Sequence, residues 1–321
     1  MKKQIGKWLT ILIPLLIGVG IIHYQFTTLT SAEIKKIKIS FEKANYYYIL
    51  LSLMIACAGY WSRAYRWKFA LNHLGYQTKF SNNFFTVCVA YLVNLTVPRS
   101  GEISRAALLK KYEDVPFDKA LGTIVAERIV DLLIFLLFVF IGFVSQFDKI
   151  YQFLLDQHVS LQSLLITGCV GVVLFFVFIL IWIYAEWEII LKLKHKLSGL
   201  LEGITTVYKM KDKWKYIFHS FFIWFSYLMM FYVAVFALPE TSEISFDIVI
   251  MGFIFGSFAV GFSNGGLGAY PLSIALIFSL YGITKDIGTA FGWLVWTSQT
   301  ILAIFLGLIS YVLLPVLNRN K

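Results

Sequence analysis

Two groups of residues in this sequence have the types and spacing to do chemistry. The first is "GFSNGG" at 261–266, where Gly261, Ser263 and Gly265 form a G-x-S-x-G pattern. That pattern is a nucleophile elbow when it joins a strand to a helix and a histidine takes the serine proton. The second is a charged set in an otherwise apolar frame: Arg63, Arg66, Arg99, Glu102, Arg105, Glu127, Arg128 and Asp131. Arginines bind phosphate through forked N–H donors, and carboxylates among them hold an empty site together or carry a proton.

The serine reading fails on its neighbours. The histidines are His23, His73, His158, His195 and His219, and none follows Ser263. The preceding "FDIVIMGFIFGSFAV" (246–260) is almost wholly apolar and offers no strand–turn–helix setting. No catalytic residue is therefore assigned. The glycines carry a different meaning. Gly265, Gly266 and Gly268, with Asn264 among them, free the backbone to leave the helical region. Irregular backbone at membrane depth is tolerated only where it is buried or lines a cavity. A half-helix is expected to start near Leu267, with unpaired N–H groups and partial positive charge at its tip.

The stretch "TVPRSGE" (96–102) repeats the plan in the other half of the chain. Pro98 breaks the preceding helix, Ser100 is placed to cap the next one, and Gly101 shapes the turn. Two positive helix ends meeting near the membrane midplane would seat an anion such as a lipid phosphate. Arg63, Arg66, Arg99 and Arg105 are expected to face that headgroup. Glycines used only for close helix packing would give the same pattern. So would a salt-bridge lattice that merely pins the turn to its neighbours. In such a lattice Arg128 pairs with Asp131 and Glu102 with Arg105, both at i, i+3, and Glu127 needs a cation from elsewhere.

The elements that must position these residues follow from composition. Of 321 residues, 59% are hydrophobic and 14% charged, too little charge for the surface of a soluble chain this long. Apolar segments recur at about 8–24, 46–62, 84–98, 121–144, 163–184, 216–238, 246–262, 267–281 and 289–316. The expected fold is all-α: one integral membrane domain over 1–321, a polytopic helix bundle. It has about six full spans and two re-entrant half-helix pairs, at about 84–112 and 248–282. Because the pairs start and finish on opposite sides by charge counting, an inverted repeat is expected. Two ordinary helical hairpins are the plainer alternative. The basic stretch 186–215 reads as a cytoplasmic connector on the membrane surface, and both termini as cytoplasmic. Four lysines at 35–43 conflict with that topology.

The net charge of +10 sits beside apolar segments, so it sets topology and meets anionic lipid headgroups rather than nucleic acid. Cys57, Cys88 and Cys169 lack metal or redox spacing and read as inert thiols. No cofactor or metal is implied.

At these residues the sequence resembles a known family. The stretch "VPRSGEISRAALLKKYEDVPFDKALGTIVAERIVDLL" (97–133) and the later "SNGGLGAYPLSIALIFSLYGI" (263–283) resemble the flippase-like transmembrane region of lysylphosphatidylglycerol synthases, the multiple peptide resistance factors. The matching features are Pro98, Arg99, Gly101, Glu102, Arg105, Glu127, Arg128 and Asp131, together with the second Gly-rich motif. The resemblance implies a bundle with re-entrant elements in the bacterial cytoplasmic membrane and a role in moving lipids between leaflets. Its substrate would be an anionic phospholipid or a polyprenyl-phosphate-linked lipid. A stand-alone form is expected, since 321 residues leave no room for a soluble aminoacyl-transferase domain. Many relatives carry an acidic residue shortly after the second motif, where this chain has "AYPL". A membrane-embedded glycosyl- or acyl-transferase acting on a lipid carrier, or a non-transporting partner of another membrane enzyme, remain as alternatives. Homo-oligomerisation stays open.

Overall fold

The structure is a computed structural model that describes residues 16, 18–97, 99–148, 151 and 207–319. Among these residues the regular structure is helical. It comprises α1 (18–28), α2 (Ser31–Lys43), α3 (Tyr46–His73), α4 (Phe80–Thr96), α5 (Ser100–Glu113), α6 (Phe117–Ser145), α7 (Lys213–Val235), α8 (Phe246–Phe262), α9 (Ala269–Ser279) and α10 (Lys285–Leu317). The expected segment at 163–184 and most of the connector at 186–215 lie outside the described residues.

Local chemistry sets the helix boundaries. Thr30 and Glu33 form a capping box at the start of α2, and these bonds hold the Glu33 carboxyl below its ordinary pKa. Asn45 accepts from the Tyr47 N–H to open α3. Gly75 follows α3 at φ 87°. The 25–45 stretch, which holds the four lysines at odds with the expected topology, is thus largely helix. Lys36 from it pairs with Asp286 at the start of α10, at 3.3 Å. Lys38 lies 4.0 Å from Glu42, so two of the four lysines at 35–43 have acidic partners.

Helix lengths divide into two groups. At about 1.5 Å per residue, α3, α6, α7 and α10 run about 35–50 Å, longer than the roughly 30 Å of a bilayer's hydrocarbon. On the same scale α4, α5, α8 and α9 reach only about 17–26 Å. The order long, short, short, long occurs twice, as α3–α6 and as α7–α10. The short pairs fold back as hairpins: α4 packs on α5, and α8 on α9. The long helices α3 and α7 pack along each other and join the two halves.

Small residues let the backbones approach. Gly288 and Gly292 on α10, four apart, face α9. A Cβ on them would come within 2.8 Å of Ala275 Cα and 2.6 Å of Pro271 Cα. Gly307 opens α10 to α4, where a Cβ would lie 2.5 Å from Leu92 Cβ. One apolar core, including Phe231, Phe253, Phe278 and Phe291, fills the space among α7 to α10. A second, around Trp67, Leu109, Ile124 and Tyr216, packs among α3, α5, α6 and α7.

Two of the long helices also carry apolar outer faces. Leu132, Leu133, Leu136, Leu137 and Phe140 form an exposed stripe on α6; Ile301, Ile304, Phe305, Leu308 and Val312 form one on α10. These are helical i, i+3, i+4 patterns turned outward, the reverse of a soluble amphipathic helix. Faces of this kind lie against a membrane or another protein surface rather than water.

Candidate functional site

The charged residues come together where α3, α5 and α6 meet. Arg63 and Arg66 lie within the continuous helix α3, whose apolar start was expected to end at 62. Asp131 receives both: Arg66 Nη1 donates to Oδ1 at 2.7 Å and Arg63 Nη2 to Oδ2 at 3.2 Å. Glu127, one turn earlier on α6, is held bidentately by Arg105 of α5, at 2.7 and 3.1 Å, with Arg66 Nη2 3.6 Å away. Arg66 also donates to Ser220 Oγ at 3.0 Å. The Arg105 guanidinium lies 3.6 Å from the centroid of Trp67, whose indole N–H donates to Thr123. All five charged groups are buried, with Arg66 and Glu127 wholly so. Three guanidinium groups face two carboxylates, so the buried set carries one formal positive charge in excess.

Arg128 points the other way. Its side chain is 46% exposed; it forms an ion pair with Glu102, Nη2 lying 3.0 Å from Oε1, and lies 3.7 Å from Asp131. The expected Arg128–Asp131 pair is therefore present at a loose distance. The expected Glu102–Arg105 pair is replaced by Glu102–Arg128 and Arg105–Glu127, because Gly101 draws α5 hard against α4. A Cβ on Gly101 would lie 2.2 Å from the Ala90 carbonyl oxygen, and its N–H donates to Asn94 Oδ1 at 2.7 Å. That close approach sends Arg105 toward α6 and leaves Glu102 at the rim. Ser100 does not cap α5. Its hydroxyl donates to the Val97 carbonyl at 2.6 Å, and Arg99 occupies the cap position in the left-handed region, at φ 60°. Pro98 lies outside the described residues.

The second motif is a tight turn built on itself. Ser263 Oγ donates to the Ala259 carbonyl and accepts from the Gly266 N–H at 3.1 Å, so the serine closes the end of α8. Gly265, Gly266 and Gly268 hold φ of 61°, 82° and 70°, which L side chains rarely adopt. Trp296 of α10 donates its indole N–H to the Gly265 carbonyl at 2.8 Å and fixes the turn from outside. The half-helix expected from Leu267 begins at Ala269. Gly268 is a packing glycine: a Cβ there would meet the Gly18 carbonyl oxygen and Ile22 Cγ1 of α1, each at 2.9 Å.

The two turns meet at one cavity of about 750 Å³. Asn94, Arg99 and Glu102 line it from the first hairpin, Gly261, Ser263, Asn264 and Gly265 from the second, and Arg128 from α6. Much of the remaining wall is apolar or aromatic, including Tyr91, Tyr270, Val295 and Trp296. A smaller space of about 20 Å³ adjoins it, sharing Tyr91, Asn94, Glu102 and Arg128 and reaching Arg63 and Arg105 behind them. Arg63 Nε and Nη1 have no hydrogen-bond partner. Of the residues singled out in the sequence, Arg99, Glu102, Arg128, Gly261, Ser263, Asn264 and Gly265 line the large cavity. Arg63, Gly101 and Arg105 line only the small one. Arg66, Glu127, Asp131, Gly266 and Gly268 do not line either. Sequence reasoning missed Trp296 and Gln299 on the wall; both sit in the apolar run 289–316, where nothing in their spacing marks them.

A bundle with outward apolar stripes, buried ion pairs and an interior cavity walled by two short hairpins is a polytopic α-helical membrane protein. The sequence profile of the lysylphosphatidylglycerol synthase TM region matches residues 11–307. The chain belongs to that family. It is also similar to a UPF0104 membrane protein of Methanocaldococcus jannaschii, at 38% identity over 105 residues, which cover 31% of each chain. The aligned part is thus about a third of that relative's length. No solved structure matches this chain.

Proposed function

We propose that the protein binds an anionic lipid headgroup in the 750 Å³ cavity and carries it between leaflets. The observation that supports this most is the convergence of both irregular turns and two exposed guanidinium groups, Arg99 and Arg128, on one cavity inside an apolar bundle. Arg128 and Arg99 take the phosphate. The buried lattice of Arg63, Arg66, Arg105, Glu127 and Asp131 holds α3, α5 and α6 at fixed spacing and adds its excess positive charge behind the seat. The carboxylate of Glu102 occupies Arg128 until a phosphate replaces it. In this reading the short hairpins are re-entrant and enter from opposite faces, since none of their helices matches the hydrocarbon thickness. The termini are cytoplasmic, and the membrane is the bacterial cytoplasmic one.

Proteoliposomes carrying a fluorescent anionic phospholipid test this, with dithionite bleaching the outer leaflet. Each charge-assisted hydrogen bond is worth about 1.5–3 kcal/mol, so Arg128→Gln should slow lipid exchange by about ten- to a hundredfold. Equal rates for Arg128→Gln, Arg99→Gln and the parent would refute the site.

A further inference from the structure

Each half of the chain ends its last long helix at the base of the other half's hairpin. α10 packs on α4, and α6 packs on α8. Both contacts use a glycine. A Cβ on Gly307 would lie 2.5 Å from Leu92 Cβ, and one on Gly142 would lie 2.5 Å from Ile254 Cδ1. Both helices then stop on a buried carboxamide. Asn318, the C-cap of α10, bonds reciprocally with Asn82 of α4, Nδ2 to Oδ1 each way, at 2.9 and 3.0 Å. Asn82 Nδ2 also donates to Glu113 at the end of α5. Gln146, the C-cap of α6, donates through Nε2 to Asp247 Oδ2 at the start of α8. It accepts through Oε1 from the Tyr281 hydroxyl at 3.0 Å, just past the end of α9. Each network ties both legs of one hairpin to the helix that closes the other half.

The two clasps lie at opposite ends of the bundle. α6 starts shortly after Glu113 and runs about 44 Å to Gln146. α10 starts shortly after Tyr281 and runs about 50 Å back to Asn318. The cavity touches both hairpin tips. A hairpin held at its base cannot tilt its tip away from that cavity. Glu113, Asp247 and Tyr281 are half-buried, so water can take over their bonds at small net cost. We propose that the clasps are alternate locks on the cavity. Release of Asn82, Glu113 and Asn318 opens it to one membrane face, and release of Gln146, Asp247 and Tyr281 opens it to the other. Because α6 and α10 each begin beside one clasp and end in the other, a tilt that frees one presses the other closed. This deepens the carriage between leaflets proposed above, on which it rests for its cargo.

The test reads the sidedness of the cavity. Cys57, Cys88 and Cys169 of the full chain are replaced by alanine, and Thr300→Cys places one thiol on the cavity wall. A charged, membrane-impermeant thiol reagent is added to right-side-out and to inverted vesicles. Lys110→Cys, exposed near Glu113, reports which face carries the first clasp. Asn318→Leu should raise Thr300→Cys labelling from that face about tenfold, the equivalent of one or two hydrogen bonds, and lower it from the opposite face. Gln146→Leu should do the reverse. Glu113→Leu reads the first clasp a second time and should match Asn318→Leu. Glu113→Gln keeps an acceptor for Asn82 and should stay closer to the parent. A gain from both faces, or a lower melting temperature with unchanged sidedness, is what a merely structural role gives, and either would overturn this inference. Sidedness that shifts as stated, in a protein that exchanges no anionic lipid, would overturn the carriage reading and leave the clasps standing.

Discussion

Glu127→Gln separates the buried lattice from the cavity wall. Glu127 is fully buried, receives Arg105 at 2.7 and 3.1 Å and has Arg66 at 3.6 Å. The substitution removes one of two carboxylates facing three guanidinium groups, so the formal excess inside the bundle rises from one positive charge to two. It also turns an amide N–H₂ toward an arginine that can only donate. Breaking a buried ion pair from one side costs about 3–5 kcal/mol, mostly the uncompensated charge left behind. Arg128→Gln removes a charge from a side chain that is 46% exposed, and there the loss should stay under about 1 kcal/mol. Thermal unfolding in detergent, followed by intrinsic fluorescence from the 9 tryptophans, reads both. The expected result is a large fall in melting temperature for Glu127→Gln and little or none for Arg128→Gln. Adding Arg105→Gln to Glu127→Gln should cost less than the two changes summed, with a coupling of about 0.5–3 kcal/mol. Equal melting of Glu127→Gln and the parent, or strict additivity with Arg105→Gln, would refute the claim that these groups form one compensated unit.

Three further outcomes are expected. Gly101→Ala would drive a methyl to within 2.2 Å of a backbone carbonyl on α4. The first hairpin must open, costing about 1–3 kcal/mol or more and raising the accessibility of a thiol placed at Ala90. Arg99→Gly should keep the turn, since glycine relieves roughly 1–2 kcal/mol of left-handed strain, yet weaken anionic lipid binding; a melting temperature at or above the parent's together with reduced binding checks both halves. Trp296→Phe removes the donor to the Gly265 carbonyl. The change should destabilise the second turn by about 1 kcal/mol and speed hydrogen exchange at Gly265 and Gly266, while exchange in α5 stays unchanged.

Much of this arrangement was legible in the residue order. Apolar runs located the long helices, and the glycines with their flanking polar residues located both turns. The charged residues stood out because apolar surroundings make each one expensive. The capping box of Thr30 and Glu33 is readable in "TSAE", a threonine followed three residues later by a glutamate. Other features were not legible, for physical reasons. Pairing by i, i+3 spacing favoured Glu102 with Arg105, but the close α4–α5 approach at Gly101 is a tertiary contact and redirects both side chains. Gly268 reads like its neighbours, yet its space is filled by α1, some 250 positions earlier in the chain. The division of the arginines into a buried lattice and a cavity wall depends on which helix faces which. That is also why Trp296 and Gln299 gave no signal.

The central claim is that both hairpin turns enclose a single seat for a phosphate-bearing headgroup. A structure of the protein in nanodiscs containing anionic lipid tests it most directly. The account predicts a lipid whose phosphate lies within hydrogen-bond reach of Arg128 and Arg99, inside the space bounded by Asn94 and Asn264. Lipid phosphates confined to the outer surface, with Asn94 and Asn264 packed against each other and no space between the turns, would contradict it.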